Sequence, residues 1–386
     1  MRNTFAAAGT SRSNNFDFLR FTLAVMVMFS HCFPLLLGDN EREPLYRITR
    51  GATRFGTLAV AGFFTLSGFL IANSWMNSRG LFDFARRRVL RIYPALVVTT
   101  LVTAFLVGRL ATSGPFSMRV AARSTAAAIY YMDEPILPNL FVTNPISGSS
   151  NGSMWTIWYE LWCYALVAAI GLVGILKRPR LVLCCFLFVM AVYVTSDVVS
   201  MLPIQPGAVR QLKSIFSGTL ANIRAPYLMM FFAAGCSFWA YRDRIPRAPG
   251  YAVAAAIGLI IACFCGRIAV HLAMPVLGVY LLFWIAFNES IPLQRFGANG
   301  DFSYGLYLYA WPVTQLLIYL ASVKWSPLVL FAATFACTLP LAIASWFLVE
   351  RPFIQRKKST GVRSIQAVPK EPEALEPVLA LSSREG

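Results

Sequence analysis

At 386 residues and 42.8 kDa the chain could form two or three soluble domains, yet 57% of it is hydrophobic and only 13% charged, which excludes an ordinary soluble protein of this size. Lys and Arg number 34 against 17 Asp and Glu. In so apolar a chain that surplus points first to cytoplasmic loops facing anionic lipid, with nucleic acid a distant second and not expected as a partner.

The fold predicted is all-α, a polytopic membrane bundle of about ten transmembrane helices. Residues 1–15 are polar and lack the pattern of a cleavable leader, so they read as a cytoplasmic segment and the first apolar stretch is expected to stay as a membrane helix. That stretch, Phe16 to Leu37, carries Asp17, Arg20 and His31. Ionisable groups inside a span are costly and are functional candidates by default. Arg20 and His31 share one helix face, roughly 16 Å apart along the axis, and Asp17 sits close enough in angle to pair with Arg20.

The second span, Thr57 to Met76, holds Ser67 and Gly68, small residues suited to close approach by a ligand or a neighbouring helix. Before the third, Ile92 to Leu110, comes Arg86-Arg87-Arg88-Val-Leu-Arg91, a guanidinium cluster that fits phosphate or serves as a topology signal. The proline-broken stretch Ala111 to Met154 reads as an extended outer loop. Trp155 to Leu176 follows, with Glu160 about 7.5 Å below its outer end, a depth that matches His31 and would let the carboxylate orient the imidazole. Asp197, near the outer end of Leu181 to Leu202, reads as a solvated carboxylate, and His271 as a solvated residue of an outer turn between Tyr251 to Gly266 and Leu272 to Asn288. The remaining spans are Pro226 to Tyr241, Phe302 to Ala321 and Leu328 to Val349. From residue 354 the chain turns polar and proline-rich, as in a disordered tail. All eight cysteines fall in apolar segments with no metal-ligand spacing, so no metal is expected, and Cys32 points about 100° away from His31. With both termini inside, the cytoplasmic side receives about twice the basic residues of the other, as the positive-inside rule requires.

Six phrases in this order carry a resemblance: Phe16-Asp-Phe-Leu-Arg20 with His31; Phe63-Phe-Thr-Leu-Ser67-Gly68-Phe69-Leu70; Arg88-Val-Leu-Arg91-Ile-Tyr-Pro94; Trp155 to Glu160; Ser303-Tyr304-Gly-Leu-Tyr307-Leu; and Val349-Glu350-Arg-Pro352-Phe353. Together they resemble the membrane acyltransferase 3 family. The resemblance covers residues 16–353 and implies a multi-pass enzyme of the inner membrane. It would take an acyl group, commonly acetyl, from cytoplasmic acyl-CoA and place it on a carbohydrate hydroxyl of an exopolysaccharide, O-antigen or glycolipid. The family's arginine and histidine pair falls on Arg20 and His31, its SGFL on Ser67 to Leu70, and its RxxR on Arg88 and Arg91. Members often carry a further histidine where this chain has Tyr309-Ala310-Trp311-Pro312.

The expected mechanism makes His31 the general base, assisted by Glu160. Arg20, Arg88 and Arg91, with Asp17 and Ser67, form the donor-binding set. The alternative reading is a transporter or flippase in which the same intramembrane charges line a substrate path. Oligomeric state is left open.

Overall fold

The computed structural model describes residues 4–5, 14–201, 224–291, 293–321 and 324–355. Apart from Ile354 and Gln355, the predicted tail lies outside these, as does most of the N-terminal segment. The fold is an all-α helix bundle; among the described residues the only β pairing is two isolated bridges.

Ten helices coincide with the ten predicted stretches. They are α1 (Phe16–Leu37), α2 (Phe55–Met76), α3 (Leu81–Ala111), α5 (Trp155–Leu172), α6 (Pro179–Met201), α7 (Arg224–Tyr241), α8 (Pro249–Cys265), α9 (Arg267–Ala286), α10 (Ser303–Leu320) and α11 (Pro327–Ile354). By length and composition seven of them, α1, α2, α3, α5, α6, α9 and α11, can cross a membrane. Large side chains such as Phe188, Phe264 and Leu348 point outward, as a lipid-facing surface requires.

The predicted loop from Ala111 to Met154 contains a further helix, α4 (Met118–Tyr131), opened by the Ser117 hydroxyl, which accepts the Val120 N–H. Its alanines Ala121 and Ala128 are buried while its arginines are exposed, so it is an amphipathic helix too polar to register as a span. The third helix also begins eleven residues earlier than predicted. The basic cluster is therefore helical, which sets Arg88 and Arg91 one turn apart on one face.

α2 and α7 form the most extensive interhelical contact. It depends on two glycines facing each other's backbone. A Cβ on Gly68 would fall on the Phe232 carbonyl, and one on Gly235 on that of Thr65. The Cys236 thiol donates to the Gly68 carbonyl at 3.3 Å. Gly68 thus serves helix packing, not ligand approach. Gly68→Ala is expected to destabilise the protein by about 1–3 kcal/mol through overpacking, read as a lower midpoint of thermal unfolding in detergent.

At one end of the bundle Phe5, Phe16, Phe69, Phe238, Phe283 and Phe287 interlock, with Phe238 and Phe283 stacked at 4.3 Å. Asn15 donates from Nδ2 to the carbonyls of Ile285 and Asn288, tying the start of α1 to the end of α9. At the other end α1 stops at Gly38, whose φ of 83° is the left-handed conformation that glycine adopts without steric cost. The buried Glu43 then accepts the backbone N–H groups of Tyr46 and Phe55, at 2.7 and 2.8 Å, and so folds the α1–α2 connection over that end.

Candidate active site

Two cavities occupy opposite ends of α1. The one at its N-terminal end, the inner cavity by the predicted topology, about 390 Å³, is lined by Arg20, Ser67, Arg88, Arg91, Glu160 and Tyr164 together with further polar and apolar side chains. The one at its C-terminal end, the outer cavity by the same topology, about 880 Å³, contains His31, Arg54, Trp155, His271 and Trp311 in its walls. Val60 and Tyr307 line both, so the two spaces meet at a partition these side chains form. The Tyr307 hydroxyl is hydrogen bonded to Thr156 Oγ1 at 2.7 Å, which fixes its position.

At the inner mouth four charges interlock. Arg91 contacts Asp301 at 2.6 Å and Glu350 at 3.0 Å, and Arg20 reaches the same Asp301 oxygen at 2.7 Å. Asp301 also accepts the backbone N–H of Ser303 at 3.1 Å and its hydroxyl. Burial alone would raise the Asp301 carboxyl, but Arg20, Arg91 and the Ser303 hydrogen bonds overcome it and hold it at about 2. This lattice joins α1, α3, the start of α10 and the last turn of α11. It brings Val349-Glu350-Arg-Pro and the residues before Ser303-Tyr304 to a cavity far from them in sequence.

Of the four arginines lining the inner cavity, Arg20, Arg87 and Arg91 each have a carboxylate partner, Asp83 being that of Arg87. Arg88 has none among the described residues. Its guanidinium lies 6.0 Å from the Phe84 ring and 5.9 Å from that of Tyr164, its Nη2 is 3.4 Å from Ser74 Oγ, and its buried Nε makes no hydrogen bond. Arg88 is therefore the cation available to an anionic ligand.

His31 projects into the outer cavity. Its Nδ1 is buried and makes no hydrogen bond among the described residues, and its ring meets Trp311 edge to face at 4.9 Å. The expected partnership with Glu160 does not hold. Glu160 lines the inner cavity and accepts the Tyr164 hydroxyl. Its depth was misjudged because α5 begins inside the bundle: Ser153 and Met154 are buried, Trp155 already borders the outer cavity, and Thr156 the inner one.

Asp17 is likewise not a wall of the inner cavity. It is exposed on the first turn of α1 with its carboxylate against Gly297, and the partner of Arg20 is Asp301 instead. Ser67, Arg20, Arg88 and Arg91 do converge on one cavity. Cys32 is buried and donates to the Met28 carbonyl at 3.3 Å, away from any reactive role.

Several residues of the site escaped the sequence reading. Asp301 and Glu350 were visible as charges near spans but carried no local sign of a common partner. Trp311, within the phrase Tyr309-Ala310-Trp311-Pro312, is the side chain that abuts His31. The outer loop supports it: Asn151 donates to the Leu308 carbonyl at 2.8 Å, Asn144 to the Gln315 side chain at 2.8 Å, and Gly152 presses on the indole. The loop carboxylate Glu134, raised by burial, accepts from Ser149, Ser150 and the Asn151 backbone and so holds this run in place. A Cβ on Gly152 would lie 2.7 Å from the Trp311 ring. Gly152→Ala is accordingly expected to push Trp311 onto His31 and lower turnover about ten-fold or more, since a displacement of about 1 Å at a reacting group can cost 10²-fold; steady-state kinetics of the folded variant would show it.

Comparison with known proteins places the chain in a family. The acyltransferase domain of the acyltransferase 3 family matches residues 13–347. The chain is 28% identical to an O-acetyl transferase of Shigella phage Sf6 over 348 residues, 89% of this chain and 97% of the relative. It is also 28% identical to Nodulation protein 10 of Rhizobium leguminosarum bv. viciae, covering 91% of this chain and 96% of the relative. No solved structure matches the chain. A match of this extent, running through the helices that build both cavities, assigns the chain to the acyltransferase 3 family of membrane acyltransferases.

Proposed function

We propose that the protein moves an acyl group, acetyl by analogy with the phage O-acetyl transferase, from cytoplasmic acyl-CoA to a hydroxyl of a cell-surface or exported carbohydrate. One observation carries this reading: an arginine-bearing cavity and a histidine-bearing cavity lie at opposite ends of one helix and share a partition at Val60 and Tyr307. In this arrangement the arginine end faces the cytoplasm of an inner-membrane protein whose termini are both inside, as the distribution of basic residues favours.

The donor enters at the inner cavity, where Arg88 meets its phosphates by charge-assisted hydrogen bonds. Arg20 and Arg91 act through the Asp301 and Glu350 lattice that shapes the mouth, and Ser67 lies deeper along the same wall. The pantetheine arm spans the roughly 16 Å from Arg20 to His31 along α1 and passes the partition. His31 takes the proton of an acceptor hydroxyl as its oxygen attacks the thioester carbonyl. The new C–O bond forms, the C–S bond breaks, and the proton passes to the departing thiolate, so the products are an ester and free CoA thiol. Glu160, on the inner side, acts on the donor path and not on the imidazole.

The test uses purified full-length protein, labelled acetyl-CoA and de-esterified glycan. Thiol release that depends on acceptor supports transfer, whereas movement of intact glycan without thiol release means a carrier. Within this scheme Arg88→Ala is expected to raise the donor KM about 10- to 100-fold, the value of one to two hydrogen bonds to a charged group, with the acceptor KM unchanged.

A further inference from the structure

His271 is not the solvated turn residue that the sequence suggested. It lies on the first turns of α9, only 9% exposed, and its Nδ1 is hydrogen bonded to the Tyr193 hydroxyl at 2.7 Å and lies 3.4 Å from Asp197 Oδ2. Asp197, 2% exposed, is in turn ion-paired with Arg267. The Tyr227 ring closes the group, 5.8 Å from the imidazole.

Ionisable groups within a bundle face its interior or a water-filled cavity, and this network opens onto one. The Arg267 side chain keeps 45% of its exposure, and Arg267, His271, Tyr193 and Tyr227 all face the outer cavity that holds His31. Both protein partners of His271 engage Nδ1, which leaves the other ring nitrogen for the cavity. Asp197 fixes the imidazole in the way the sequence had assigned to Glu160 and His31. Alternating aromatic faces and fork-like or imidazole donors suit the two surfaces of a sugar ring, its C–H face and its equatorial hydroxyls.

We propose that His271, held by Tyr193 and Asp197 and flanked by Arg267, is the acceptor-binding residue of the outer cavity, gripping the sugar whose neighbouring hydroxyl is presented to His31. This rests on the acyl-transfer reading for its last clause only; the sugar site itself does not require it.

The probe is the producing strain's surface polysaccharide, de-esterified with mild alkali and tritiated. Its binding to the full-length protein in nanodiscs is measured with no donor present. His271→Gln and Arg267→Gln are each expected to weaken binding about ten-fold or more, the loss of a hydrogen bond to a polar, desolvated group. In turnover His271→Gln should raise the acceptor KM to the same degree and leave the donor KM within about two-fold. If His271→Gln does not fold, Tyr193→Phe keeps the ring, removes the hydroxyl that positions the imidazole, and should still weaken glycan binding measurably. Parent-like binding by the folded His271 and Arg267 variants, or by Tyr193→Phe, overturns the proposal, as does an absence of glycan binding by the parent protein. Glycan binding that His271→Gln removes, in a protein that releases no thiol, upholds the sugar site and overturns acyl transfer instead.

Discussion

Replacement of His31 by alanine is expected to lower acyl transfer by about 10²- to 10⁴-fold, the usual contribution of a positioned general base, while the protein stays folded. No hydrogen bond is lost from Nδ1, which has no partner among the described residues, and the ring's contact with Trp311 is an edge contact at 4.9 Å. His31→Gln fills the same space without a base of suitable strength and should be as inactive. The other histidine of the cavity, His271, does not compensate, because Tyr193 and Asp197 hold it on α9. Turnover and thermal unfolding measured on the same preparations decide the matter. Near-normal turnover in either folded variant removes His31 from the chemistry.

The largest effect on stability is expected at Arg91. Its removal leaves Glu350, 1% exposed, without its cation and deprives Asp301 of one of two. Breaking a buried pair in this way costs about 3–5 kcal/mol. Arg91→Lys is expected to recover little of it, since a single ammonium cannot reach two carboxylates in the geometry of a guanidinium fork. Asp301 by itself predicts an acid sensitivity of definite sign. Asp301 ionises more readily in the folded protein than in the unfolded chain, so its contribution is complete above 3.8 and is lost as pH falls from there toward about 2. Asp301→Asn should flatten that part of the stability profile. Thermal unfolding in detergent as a function of pH checks both, and an unaltered profile in Asp301→Asn assigns the acid sensitivity to other carboxylates.

The helices were legible because apolar runs of membrane-crossing length leave few alternatives, and α1 was legible in detail. The helical period alone sets Arg20 and His31 on one stripe, whatever surrounds them. Depth was not legible. Glu160 was placed by counting from Trp155 as if that residue lay at the surface, whereas the outer loop folds inward and starts α5 beside the partition. For His271 the error ran the other way: the break at Gly266 looked like the end of a span, but α9 begins at Arg267 and carries the imidazole into the bundle. Partnerships across the chain were beyond any local pattern. Arg91 and Asp301 are 210 positions apart, and Arg91 and Glu350 are 259 apart. The motifs holding them were visible as phrases, but the one ionic lattice they form at the mouth of the Arg88 cavity exists only in three dimensions.

The central claim is vectorial: a thioester bound at the Arg88 end is consumed at the His31 end. The direct measurement is acyl transfer by the purified protein in sealed proteoliposomes of known orientation, with acetyl-CoA confined to one face and de-esterified glycan to the other. The account predicts acylated glycan only when the donor is on the Arg88 face and the acceptor on the His31 face. Transfer that proceeds only with both substrates on the same face would contradict it.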